Sequence, residues 1–132
     1  MPDYERSETI AASPEEVYDY VSAPRNLASY VSTMRSADPL PGNRLRVAAE
    51  VAGRQEEGEA EFAVDPAARR IDWHGSSRSG YRGWLSVAPS GAEAAVVTIH
   101  LSTQTGEERQ EIESAIIDTL GNIRAQVGAG AA

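Results

Sequence analysis

Lysine and cysteine are both missing from this chain of 132 residues, and all twelve of its basic side chains are arginines. Without lysine there is no Schiff base and no phosphate-loop ammonium. Without cysteine there is no thiolate nucleophile, no disulfide and no cysteine-ligated zinc or iron–sulfur cluster. Positive charge is scarce too: twelve basic residues stand against twenty acidic ones, a formal net charge of −8. A surface of that sign repels a phosphate backbone or an anionic bilayer on average, so no nucleic-acid partner is expected. No run approaches the roughly 18 apolar residues of a membrane span. Residues 1–8 are polar rather than the basic-then-apolar opening of a signal peptide. The expected location is therefore cytoplasmic.

What the chain does contain is ordinary for a globular protein: 41% apolar and 24% charged residues. The length suits one core, so residues 1–127 are read as a single domain, with a frayed Gly/Ala tail over 128–132. Residues 3–11 have the character of a first strand. Ser13 then offers an N-cap, Pro14 a first helical position, and Glu15 and Glu16 acids that oppose the helix dipole. Val17, Tyr18 and Val21 share one side of that short helix. Pro24 breaks it before a second short helix carrying Leu27, Tyr30 and Val31. Residues 32–103 read as successive strands divided by turns at Pro41-Gly42, Gly53-Arg54, Pro66-Ala67, Ser77-Arg78 and Ser90-Gly91. Over 107–127, Ile112, Ile116, Leu120, Ile123 and Val127 recur at helical spacing, with Glu107, Glu108, Glu111 and Glu113 early in the helix.

The order strand, two short helices, six strands, long helix resembles the START-like and polyketide-cyclase-like superfamily, SRPBCC. The opening SETIAASPEEVYDYVSAPRNLASY is similar to that family's Ile-x-Ala strand end, Pro-x-x-Val-aromatic helix and Asp-Pro-x-x-Leu-x-x-Trp-like segment. Ala23 stands where Asp is common and Tyr30 where Trp is common. The resemblance implies an α+β helix-grip fold: a seven-stranded curved antiparallel sheet with the C-terminal helix packed across it. It also implies a scaffold shared by carriers, cyclases, hydrolases and receptors, so function must come from the site.

Treating each turn as a two-residue hairpin loop sets a register. Leu45, Phe62, Ile71, Trp84 and Val97 then form one cross-strand row facing inward. Val47, Ala60, Trp73, Arg82 and Ile99 form the next, and Ala49, Gly58, Gly75, Gly80 and Leu101 the one beyond. Bulk declines along these rows, which leaves room for a ligand, although strand glycines also ease bends beneath a close-packed helix. Arg82 falls between the two tryptophans, where an unpaired guanidinium is costly. It needs a ligand's oxygen, or a carboxylate such as Asp38. The expected ligand-binding set is Arg82, Trp73, Trp84, Phe62, Tyr30, Ile99, Leu101, Ile116 and Leu120.

The same register puts His74, Tyr81 and His100 on the convex face as a solvated polar row; a one-residue slip of the sixth strand turns Arg82 outward. Glu57, Glu59 and Glu61 alternate outward on one strand. No metal site or cofactor is expected. Serines are plentiful, but no Gly-x-Ser-x-Gly elbow marks one as a nucleophile. The reading that follows is a binding or carrier protein for a small hydrophobic, lipid-like or polyketide-like molecule, as a monomer or homodimer. One alternative is a cyclase or dehydratase in which Arg82 polarises a carbonyl and Tyr18 or Tyr30 donates a proton. Another is a protein-interaction module.

Overall fold

The computed structural model describes residues 3–31, 34–42, 44–51, 54–75, 82–91, 93–102 and 109–128. Expectations for Gly53, Ser77-Arg78, Gly80, Tyr81, Glu107 and Glu108, and for the tail over 129–132, lie outside the described residues, as do the side chains of Ala49, Glu111 and Ile112. Strand β1 (Asp3–Ile10) leads into α1 (Pro14–Val21), a 3-10 turn (Pro24–Asn26) and α2 (Leu27–Tyr30). Strands β2 (Met34–Leu40), β3 (Arg44–Val51), β4 (Arg54–Asp65), β5 (Arg70–Gly75), β6 (Arg82–Pro89) and β7 (Ala95–Ser102) follow, then α3 (Arg109–Ile123) with a π-helical end (Arg124–Gly128). The seven strands form one sheet in the order β1-β7-β6-β5-β4-β3-β2, and every neighbouring pair is antiparallel. This is the helix-grip architecture.

Local chemistry accounts for the helix boundaries. The Ser13 hydroxyl accepts from the Glu16 backbone N–H at 3.2 Å and Pro14 occupies the first turn, so α1 starts where an orphan amide finds a partner. Its apolar side, Val17, Tyr18 and Val21, is buried. After Pro24 the Asn26 side-chain amide donates to the Tyr20 carbonyl at 3.0 Å and ties the two short helices together. The deepest core residues, Ile10, Val17, Val21, Ile71, Leu85, Val97 and Ile123, come from both the sheet and the helices. Burying each such side chain contributes roughly 1.5–3 kcal/mol.

The strand register departs from the two-residue rule in an instructive way. The β4–β5 loop has four residues, 66–69, closed by Asp65 opposite Arg70 and turned by Arg69 at φ 48°. The β6–β7 loop has five, 90–94, closed by Pro89 opposite Ala95, with Ser90 N–H donating to the Ala94 carbonyl at 2.9 Å. Between β5 and β6, His74 lies opposite Arg82 and Trp73 opposite Gly83, one residue away from the expected Trp73–Arg82 pair. Side chains alternate along a strand, so an odd displacement inverts a strand's faces. The displacements on the two sides of β6 are both odd and cancel at β7. From β3 to β7 only β6 is inverted; β2 is displaced by one residue as well, with Leu40 opposite Arg44 and Asp38 opposite Arg46 rather than Leu45, so Asp38 too faces outward.

Candidate functional site

On the concave face, Leu85, Val87, Val97 and Ile99 are buried with Leu45 and Ile71 below a roof of Ile116, Leu120 and Ile123 from α3. The helix does not lie centrally. Arg6 and Glu8 share the sheet rows of Ile99 and Val97 on β1. Arg6 meets Glu113 at 3.5 Å and Glu8 meets Arg124 at 4.0 Å. The Asn122 amide donates to the Tyr30 carbonyl at 3.1 Å. These contacts hold α3 toward β1 and α2. On the opposite side Met34, Ala37, Val47, Phe62, Trp73 and Leu101 pack against the core but stay half-buried. Gly58, Ala60 and Gly83 stand among them with little side-chain bulk. The result is a half-buried apolar strip across β2–β5 and β7 with a buried floor beside it.

Trp73 is the largest group on that strip. Its indole lies over Gly83: a Cβ added there would sit 2.9 Å from Cζ2 and 3.0 Å from Cε2. The glycine that replaces the expected inward arginine thus provides the seat for the tryptophan.

The expected site residues divide accordingly. Phe62, Trp73, Ile99, Leu101, Ile116 and Leu120 belong to the concave side, three of them half-buried on the strip and three, Ile99, Ile116 and Leu120, buried in floor and roof. Arg82 and Trp84 do not. Both point to the convex face, because β6 is inverted, and Asp38 lies four strands from Arg82, about 19 Å at strand spacing. Tyr30 is pinned as well. Its hydroxyl donates to the Val21 carbonyl at 2.6 Å, and burial raises its phenol pKa well above the usual range. Burial also raises the pKa of the Tyr18 phenol, with the Asp65 carboxylate adding to the effect, and neither tyrosine converges on Arg82. Met34 escaped notice in the sequence because an irregularity between Met34 and Ser36 breaks the alternation of β2. Tyr20 escaped it too: among the described residues its buried hydroxyl has no hydrogen-bond partner.

The convex face is polar but organised. Arg70 grips Asp72 with Nε and Nη2, at 3.1 Å and 3.0 Å, and lies 4.8 Å from the Trp84 ring centroid. The Trp84 ring stacks on His100 at 5.3 Å and 5°. His100 in turn meets Glu5 through Nδ1 at 3.0 Å and Ser102 through Nε2 at 3.4 Å. His74 is 3.5 Å from Glu61, and Glu57, Glu59 and Glu61 are exposed as expected. A cleft of about 480 Å³ opens there, lined by Asp72, His74, Arg82, Trp84, His100 and Ser102 together with Trp73 and Gly83. Among the described residues no group of three His, Cys, Asp or Glu could hold a metal ion, and no helix is long and apolar enough to cross a membrane.

Comparison with known proteins agrees with the fold. The family model described as polyketide cyclase / dehydrase and lipid transport matches residues 1–126. No curated protein matches the chain. Among solved structures, TTHA0849 from Thermus thermophilus is 20% identical with a TM-score of 0.84, over 99% of this chain and 100% of that one. The Zhui aromatase/cyclase from Streptomyces sp. R1128 is 17% identical with a TM-score of 0.81, over 96% and 93%. The di-domain ARO/CYC BexL from the BE-7585A biosynthetic pathway is 22% identical with a TM-score of 0.78, and this chain covers 46% of its length. Likeness at these identities concerns the fold alone.

Proposed function

Since the chain belongs to the polyketide cyclase / dehydrase and lipid transport family, we propose that it binds and carries a small hydrophobic molecule on the concave side of its sheet. The observation that carries this reading is the half-buried apolar strip of Met34, Ala37, Val47, Phe62, Trp73 and Leu101 beside a fully buried floor. Apolar area left partly in water on a concave face gains about 25 cal/mol for each Å² that a ligand covers. Binding there rests on shape and burial. Tyr20 is a candidate polar contact, because a buried hydroxyl without a partner among the described residues gains from any ligand group that reaches it.

The cyclase or dehydratase alternative required Arg82 to meet Tyr18 or Tyr30 inside the cavity. Arg82 is on the other side of the sheet and the Tyr30 proton is committed to Val21, so the carrier reading is favoured over that mechanism. The reading takes the protein as cytoplasmic, alone or as a homodimer.

The two tryptophans allow a direct test, because Trp73 faces the strip and Trp84 the convex face. In Trp84→Phe, titration with a fluorescent fatty acid or a polyketide-like aromatic should give saturable quenching of Trp73. In Trp73→Phe, the same titration should leave Trp84 emission nearly unchanged. No saturable response in either variant, together with no apolar molecule retained in native mass spectra of the purified protein, would overturn the proposal.

A further inference from the structure

The convex cleft carries a second arrangement that the concave site does not use. Strand β1 closes the sheet against β7, which sets Glu5 directly opposite His100, 95 residues later in the chain. The Glu5 carboxylate meets His100 Nδ1 at 3.0 Å, and Nε2 on the other side of the same ring faces the Ser102 hydroxyl at 3.4 Å. The tautomer that satisfies both contacts carries its proton on Nδ1, donates it to Glu5 and turns the Nε2 lone pair toward the serine hydroxyl. The ring is held as well as polarised, because it stacks on Trp84, which is itself backed by Arg70 and Asp72. Arg82 lies opposite Ser102 across the β6–β7 pair, so a guanidinium stands on the serine's own face of the sheet. His100, Ser102 and Arg82 all line the cleft of about 480 Å³.

We propose that this cleft is a second site, its reacting groups on the face of the sheet opposite the apolar strip, in which Ser102 is an acyl-accepting nucleophile, His100 its general base and Glu5 a positioning residue. The substrate class is a small activated ester or thioester. The Ser102 oxygen bonds to the acyl carbon as its proton passes to His100 Nε2, and the negative charge gathering on the carbonyl oxygen faces Arg82. The bond from acyl carbon to the leaving oxygen or sulfur then breaks, and His100 returns the proton to that atom. Water, deprotonated by His100, next attacks the acyl-serine; the serine takes its proton back and a carboxylic acid leaves. The sum is ester plus water to acid plus alcohol, or thiol for a thioester, and no other reactant is needed. A serine, a base and a third group that orients the base are the elements such chemistry requires, whatever the fold. A serine–imidazole contact that is long without substrate is common and shortens on binding.

The test is labelling of the full chain with a fluorophosphonate probe, followed by peptide mass spectrometry and by p-nitrophenyl acetate hydrolysis. The expected result is one probe per chain on the peptide containing Ser102. Labelling should vanish in Ser102→Ala and fall by about 10²-fold or more in His100→Gln. Glu5→Gln should lower the rate and Glu5→Asp should restore it. Far-ultraviolet circular dichroism and melting of each variant establish that the fold is kept, and Ser102→Ala removes only a hydroxyl from a half-buried position. Three results would overturn the proposal: no label on the wild-type chain, label on another residue, or equal ester hydrolysis in folded Ser102→Ala. The last would reveal simple imidazole catalysis. Because the apolar strip is on the other face, failure here leaves the carrier reading intact.

Discussion

Replacing Gly83 by alanine probes the inversion of β6 directly. An added Cβ would lie 2.9–3.0 Å from the Trp73 indole and still closer to the His100 carbonyl oxygen, a backbone atom that cannot swing aside. Ordinary contact begins near 3.4 Å, so the indole has to retreat by about half an ångström and the β6–β7 pair has to spread. Overpacking costs about 1–3 kcal/mol, and contact with a backbone atom puts this site at the upper end, about 2–3 kcal/mol. Alanine recovers up to about 1 kcal/mol by restricting the unfolded chain, which leaves a net loss of about 1–2 kcal/mol. For a domain of this size that is a fall in melting temperature of roughly 3–10 °C. Gly121→Ala is the matched control. That glycine is exposed within α3 and nothing lies within 4 Å of its added Cβ, so the change should stabilise by up to about 1 kcal/mol. The assay is urea denaturation followed by circular dichroism, with Trp73 emission read in a Trp84→Phe background. If Gly83→Ala loses less than about 0.5 kcal/mol and Trp73 emission stays unchanged, the indole does not rest on residue 83. The reasoning that turns Gly83 inward and Arg82 outward would then be refuted.

Two tyrosines of α1 and α2 should respond in opposite directions to loss of the hydroxyl. Tyr30→Phe strands the buried Val21 carbonyl and should cost about 1–3 kcal/mol in chemical denaturation, whereas Tyr20→Phe removes a buried hydroxyl that has no partner among the described residues and should be neutral or stabilising by about 1 kcal/mol. Tyr18, Tyr20 and Tyr30 all have phenol pKa values raised from the usual 10.0, chiefly by burial. Above pH 10 the unfolded chain gives up phenolic protons that the folded one retains, so folding stability should be intact below pH 10 and fall as pH rises beyond it. Denaturation midpoints at pH 8, 10 and 11 check the sign; a midpoint unchanged at pH 11 would contradict it. In Tyr30→Phe the alkaline loss should be smaller.

Much of the fold is legible in the chain because its signals are local. The Ser13-Pro14 cap, the break at Pro24 and the 3.6-residue recurrence of Ile116, Leu120 and Ile123 each act within a few residues of where they stand, and the structure places helices there. Strands β3, β4, β5 and β7 keep the faces expected of them because one parity is plainly more apolar than the other. Strand β6, RGWLSVAP, is different. One parity offers Trp84 and the other Leu85 and Val87, so alternation alone accepts either face. Leu85 and Val87 are buried, while Trp84 finds His100 and Arg70 outside.

By itself, then, the sequence determined the order of elements, the family scaffold and the apolar character of the concave face, since each depends on short-range pattern. Tertiary structure alone decided that Gly83 rather than Arg82 faces the concave side, because a single residue more or less in a hairpin loop inverts every side chain of the next strand. It alone decided that Ser102, His100 and Glu5 meet, because pairing of the first strand with the last joins residues that no local spacing relates.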